Sequence, residues 1–106
     1  MTTVKFYHSE TDAPLGFSIS GHADYDDYGS DIVCAAISSA SLMAANTITE
    51  IIGMDAYAYA DDDGELILKV PEEDADKSKD ILLGLELHLK ALAEQYPNNV
   101  TITTEV

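Results

Sequence analysis

Cys34 and His22 are the residues of this 106-residue chain whose types and spacing point most directly to covalent chemistry. Cys34 is the single cysteine, so an intrachain disulfide and a cysteine-rich zinc site are both excluded. A helix is expected to start at a cap on Ser30 or Asp31, which would make Cys34 its third or fourth residue. Unpaired backbone N–H groups and the helix dipole at such a position favour the thiolate, the nucleophilic form of cysteine. His22 stands twelve residues upstream, in the segment that must deliver the chain to this helix. If that segment folds back, the imidazole reaches the sulfur, first as base and then as general acid to a leaving amine. The same first-turn N–H groups could hold a developing oxyanion. Packing accounts for these residues too. Cysteine is among the most buried residue types, Ala35 and Ala36 follow it, and His22 could satisfy turn carbonyls.

The elements that must position this pair follow from periodicity. Val4, Phe6 and His8 alternate with Lys5 and Tyr7, which reads as a strand. Turn residues 9–14 separate it from a second alternation, Leu15, Phe17 and Ile19, a hairpin partner. Residues 21–30 have neither period and read as a loop bracketed by Gly21 and Gly29. Val33, Ile37, Ala40, Ala44, Ile48 and Ile51 then recur at helical spacing, with Gly53 as the expected C-cap. A strand over 55–60, a turn at Asp61-Asp62-Asp63-Gly64 and a strand ending at Pro71 follow. Asp74 and Asp76 are expected to open a second helix, with Ile81, Leu85, Leu89, Leu92 and Tyr96 as its apolar stripe. Residues 100–106 read as a last strand. The order is ββαββαβ, a single α+β domain over residues 1–106 with a mainly antiparallel sheet and two helices.

Twenty acids against five bases give a net charge of −15. That balance argues against direct nucleic-acid binding, which needs clustered Lys and Arg, and against anionic membrane surfaces. No basic segment followed by an apolar core opens the chain, and no uninterrupted apolar run approaches the ~20 residues of a membrane span. A cytoplasmic location is therefore expected. Asp24, Asp26, Asp27 and Asp31 around Gly29 have some likeness to a calcium loop, but Ala35 occupies the position that needs a bidentate Glu. A solvated charged lid is the better reading, and no metal is expected. His8 and His88 have no motif partner. Tyr57 and Tyr59 suit core or dimer packing better than an exposed aromatic surface.

The stretch Gly21-His22-Ala23, a short loop, and Gly29-Ser30-Asp31-Ile32-Val33-Cys34-Ala35-Ala36-Ile37-Ser38 resembles the signature of the ribosomal-processing cysteine protease family, Prp. The length and element order of the whole chain fit as well. The resemblance implies a small bacterial cytoplasmic endopeptidase, typically a homodimer. Such an enzyme removes an N-terminal extension from the precursor of a large-subunit ribosomal protein, the twenty-seventh in the standard naming. Cys34 matches the family nucleophile and His22 the family histidine. Asp31 falls on a motif position with a capping or His-orienting role. Ser38, one turn after Cys34, shares its helical face and would line the site. No cofactor is implied, and a mobile loop between His and Cys would move to admit the peptide. The segment Asp24-Tyr25-Asp26-Asp27-Tyr28 is more acidic than the family pattern leads one to expect. Its carboxylates would stabilise an imidazolium, disfavour a thiolate and attract a basic protein. Two other functions remain compatible with the residues: a non-enzymatic acidic binding protein of ribosome assembly, and a redox sensor, which lacks a resolving cysteine.

Overall fold

A computed structural model describes residues 1–21, 28–62 and 64–106, with residues 28–31 described as backbone only. Five strands and two α-helices follow in the order β1 (Thr2–His8), β2 (Pro14–Ser20), α1 (Tyr28–Asn46), β3 (Tyr57–Ala60), β4 (Leu66–Lys69), α2 (Lys79–Gln95) and β5 (Val100–Glu105). The expected ββαββαβ order and α+β class are therefore observed. The strands lie side by side as β3-β4-β2-β1-β5. All neighbours are antiparallel except β1 and β5, which pair parallel from Thr2↔Val100 to Tyr7↔Glu105. That parallel edge depends on the crossover through α2, because a tight hairpin can join only antiparallel strands.

The two faces of the sheet separate by the period-two alternation of its strands. Val4, Phe6, Phe17, Ile19, Leu66 and Leu68 share one face and pack against Val33, Ile37, Ala44 and Ile48 of the first helical segment and Leu82, Leu85 and Leu89 of α2. Phe6, Phe17, Ile37, Ile48, Leu68, Leu82 and Leu89 are almost wholly buried. Each such side chain contributes roughly 1.5–3 kcal/mol of transfer free energy. The opposite face is polar. Tyr7 Oη and Ser18 Oγ are 3.0 Å apart, Lys69 Nζ sits 4.4 Å from the Tyr7 ring centre, and Lys5 pairs with Glu105 at 3.8 Å.

Three local expectations are corrected. First, α1 begins at Tyr28, so residues 28–30, Gly29 included, are helical, and Ser30 and Asp31 lie inside the helix and do not cap it. Second, α1 passes into a π-helical turn, Thr47–Ile52, before Gly53 closes it with its N–H donated to the Ile48 carbonyl. Third, Asp74 and Asp76 belong to a separate 3-10 helix, Glu72–Lys77; Ser78, at φ −113° and ψ 4°, breaks it from α2. Ile32–Ile52 is by length and composition apolar enough to cross a membrane, although Ser and Thr interrupt it. Within this fold Val33, Ile37, Ala44, Ala45 and Ile48 of that stretch lie in the core.

Candidate active site

Cys34 is the seventh residue of α1 counted from Tyr28, not the third or fourth. This changes its chemistry. In an α-helix the N–H of residue 34 faces the carbonyl of residue 30, so it is not one of the orphan donors of the first turn. The dipole effect also fades beyond that turn. The oxyanion donors expected at the thiol from the first helical turn are therefore not supplied by Cys34's own position.

What the helix does supply is a lateral placement. Val33 and Ile37 are buried against the sheet, whereas Cys34 and Ser38 are half-buried and Leu42 is 46% exposed. Positions 34, 38 and 42 are successive i, i+4 neighbours and form one strip along the side of α1. The strip runs beside the edge of the sheet at β3. Ser38 and Leu42 form one wall of a cleft of about 120 Å³, with Ala60, Asp61, Gly64, Glu65 and Leu66 from the end of the β3–β4 hairpin forming the rest. The hairpin turn is fixed by Asp61. Its Oδ1 accepts the Glu65 N–H at 3.0 Å, and its Oδ2 accepts the Tyr59 hydroxyl at 3.2 Å. The hydrogen bond to that carboxylate also raises the Tyr59 hydroxyl above its ordinary pKa. A larger cleft of about 530 Å³ lies off the end of β1, lined by His8, Ser9, Glu10, Thr11, Leu15, Glu72 and Val106; neither Cys34 nor Ser38 borders it.

Of the other residues singled out in the sequence, Gly21 stands at the end of β2 with φ +87°. A Cβ there would come within 2.5 Å of the Met1 carbonyl oxygen, so glycine is needed where the chain leaves the sheet toward His22. His22, Asp24, Asp26 and Asp27 lie outside the described residues, and so does the side chain of Asp31, whereas Gly29 is described as helical backbone. Tyr57 and Tyr59 are not core residues: they are 59% and 42% exposed on the edge strand β3. His88 is exposed, whereas His8 is buried in a polar network with Asp12 and Glu86.

Residues 1–101 match the family described as Cysteine protease Prp. The chain belongs to this family. It is 26% identical over 97 residues to the ribosomal processing cysteine protease Prp of Bacillus subtilis, with 87% of each chain covered. Its fold superimposes with a TM-score of 0.88 on the S. aureus Prp crystallised with a substrate peptide, at 25% identity, covering 98% of this chain and 99% of that one. A second S. aureus Prp structure, holding a covalently linked product peptide, matches with a TM-score of 0.85 at 26% identity, over 98% of this chain and 99% of that one. The chain is thus a ribosomal-processing-type cysteine protease, and the readings as a non-enzymatic binding protein or a redox sensor give way. Leu42, Ala60, Asp61, Glu65 and Leu66 were not singled out from the sequence as site residues. The signal for them was the run Ala56, Ala58 and Ala60, small residues on one face of a strand that turns out to be an edge.

Proposed function

We propose that this chain removes the N-terminal extension of a large-subunit ribosomal protein precursor, the twenty-seventh, by acyl transfer through Cys34 and His22. The observation that carries this reading is the half-buried Cys34 on the strip of α1 that leads into the β3–β4 cleft, in a chain of the Prp family. The Cys34 thiolate attacks the scissile carbonyl, forming a C–S bond. His22, protonated by the thiol, gives its proton to the departing amine as the C–N bond breaks, and the mature ribosomal protein leaves. Water, deprotonated by His22, then attacks the thioester carbonyl. The C–S bond breaks, the extension leaves with a free carboxylate, and the thiol is regenerated. Asp31 orients His22 and Ser38 lines the substrate path. The relatives' names and the substrate-peptide complex support a ribosomal protein as substrate.

The net charge of −15 suits a basic protein partner rather than nucleic acid or an anionic membrane surface. The enzyme works in the cytoplasm as a homodimer, without metal or organic cofactor. For the dimer surface, the leucine-rich α2, with Leu83 and Leu87 exposed, and the tyrosine-bearing β3 are the two candidates. The deciding experiment incubates the protein with the precursor and reads the N-terminus by mass spectrometry. Loss of the extension is expected. An intact extension, in conditions where the precursor demonstrably binds, overturns the reading.

A further inference from the structure

We propose that His8 is a proton-operated latch on the β1–β2 turn. Protonated, it holds both Asp12 and Glu86; on losing a proton it keeps Glu86, releases Asp12 and loosens the turn there. The proposal does not rest on the protease reading.

The geometry of the ring requires a choice between the two partners. The register of β1 against β2 shifts between Tyr7 and His8. His8 falls on the helix-facing side, in alternation with Val4 and Phe6, and is 9% exposed. Its Nδ1 lies 2.8 Å from Asp12 Oδ1 and its Nε2 lies 2.8 Å from Glu86 Oε1. An ionised carboxylate only accepts, so both contacts are hydrogen bonds only while both ring nitrogens carry hydrogen. Removing one proton leaves two lone pairs facing each other at one of the contacts. That contact must open.

Burial decides which one opens. The Glu86 side chain is 12% exposed and the Asp12 side chain 90%. Water replaces the imidazole at Asp12, whereas Glu86 would lose a donor inside the protein, where such a loss is costly. Lys90 Nζ bonds the second Glu86 oxygen at 2.8 Å and holds that carboxylate in place. The remaining proton therefore resides on Nε2. Glu10 of the turn, Glu72 of the 3-10 helix and the terminal carboxylate of Val106 border the same cleft as His8. With both ring nitrogens taken, these groups act on the imidazole only through their field, which favours its charged form. Burial lowers the His8 pKa, but the bonds and charges of Asp12 and Glu86 outweigh it and raise the group above its ordinary value.

The released residue is the strained one. Asp12 has φ +66°, the single non-glycine residue with positive φ among those described. This left-handed region is disfavoured for a residue with a Cβ, so bonds must hold it there. Two do: the contact with His8, and the Asp12 N–H donated to the Ser9 carbonyl at 2.9 Å. The base of the turn is tied separately. The Ser9 N–H donates to the Ala13 carbonyl at 2.8 Å, and Ser9 Oγ accepts the N–H groups of Thr11 and Ala13 at 3.2 and 3.1 Å. None of these bonds involves the imidazole, so the base stays closed while Asp12 comes free.

The test is NMR on the nitrogen-labelled full chain, about two pH units either side of the midpoint of the His8 titration. Below it both ring nitrogens should carry hydrogen; above it Nε2 alone should keep one. Across the same step the Asp12 amide order parameter should fall from about 0.85 to below about 0.6, while that of Ala13 stays near the rigid value. Asp12→Asn is the informative variant. Asparagine tolerates the left-handed region, and its side-chain amide can donate to a bare Nδ1. The backbone amide at position 12 should then remain ordered on both sides of the titration. Any of three results overturns the latch: a neutral His8 with its hydrogen on Nδ1, an Asp12 amide equally ordered at both pH values, or an Asp12→Asn variant that loosens as wild type does.

Discussion

His8 Nε2 lies 2.8 Å from Glu86 Oε1, although 78 positions separate the two residues. His8 Nδ1 is also 2.8 Å from Asp12 Oδ1, and Lys90 Nζ donates to the second Glu86 oxygen at 2.8 Å. The network ties the end of β1 to the middle of α2. An imidazole facing a carboxylate at each ring nitrogen donates to both only when protonated. Burial by itself lowers the His8 pKa, but the hydrogen bonds and charges of Asp12 and Glu86 outweigh it and leave the group above 6.5. For Glu86, burial raises the pKa, and Lys90 and His8 together bring it below 4.5.

These opposed shifts predict a pH window. A raised histidine contributes stability fully below 6.5 and loses it as pH climbs through its folded-state value. A lowered carboxylate contributes fully above 4.5 and loses it as pH falls through its folded-state value. The network therefore stabilises most between 4.5 and 6.5. His8→Gln should cost about 1–3 kcal/mol at pH 6 and less at pH 8.5, read as the Tm difference from wild type at each pH. An equal difference at both would contradict the charged pair.

Gly16 is held where no other residue fits. Its φ is +155°, and a Cβ would stand 2.0 Å from the Leu68 carbonyl oxygen of the neighbouring strand. Gly16→Ala must push β2 from β4 and should destabilise by more than about 2 kcal/mol, against a few tenths for a typical surface change. Denaturant unfolding measures it; a loss below about 0.5 kcal/mol, the range of an ordinary surface substitution, would mean the two strands are not so closely paired.

The acidic segment before α1 predicts a salt effect on rate. Asp24, Asp26 and Asp27 precede the helix that carries Cys34, and the substrate in this account is basic. Cleavage should slow as salt rises, because screening shortens the reach of the attraction from ~10 Å at 0.1 M to ~3 Å at 1 M. Triple replacement by Asn should weaken that dependence in kcat/KM. Equal salt dependence of wild type and variant would leave these charges only a role in solubility.

Much of this was legible in the chain. Alternation at Val4, Phe6, Phe17 and Ile19 and the helical recurrence of Val33, Ile37, Ala44 and Ile48 gave strands, helices and the α+β class, because burial on one face imposes those periods. The boundary of α1 was not legible. Gly29 and Ser30 have the chemistry of a loop and a cap, yet both lie inside the helix, which moves Cys34 from the first turn to the second. The His8–Glu86 bond and the cleft at Ala60 were hidden for a different reason. Each depends on elements far apart in the chain being brought together by the β3-β4-β2-β1-β5 order, and no local pattern records that order.

The central claim is that Cys34 is the nucleophile and His22 its proton-transfer partner. The most direct measurement compares cleavage of the ribosomal protein precursor by wild type, Cys34→Ala and His22→Ala, reading the new N-terminus by mass spectrometry. Cys34→Ala should lose at least ~10⁴-fold in rate, and His22→Ala roughly 10²–10⁴-fold. In both variants thermal unfolding should stay close to that of wild type. Cleavage by Cys34→Ala within tenfold of the wild-type rate, an order-of-magnitude threshold of about 1.4 kcal/mol in barrier, would contradict the account.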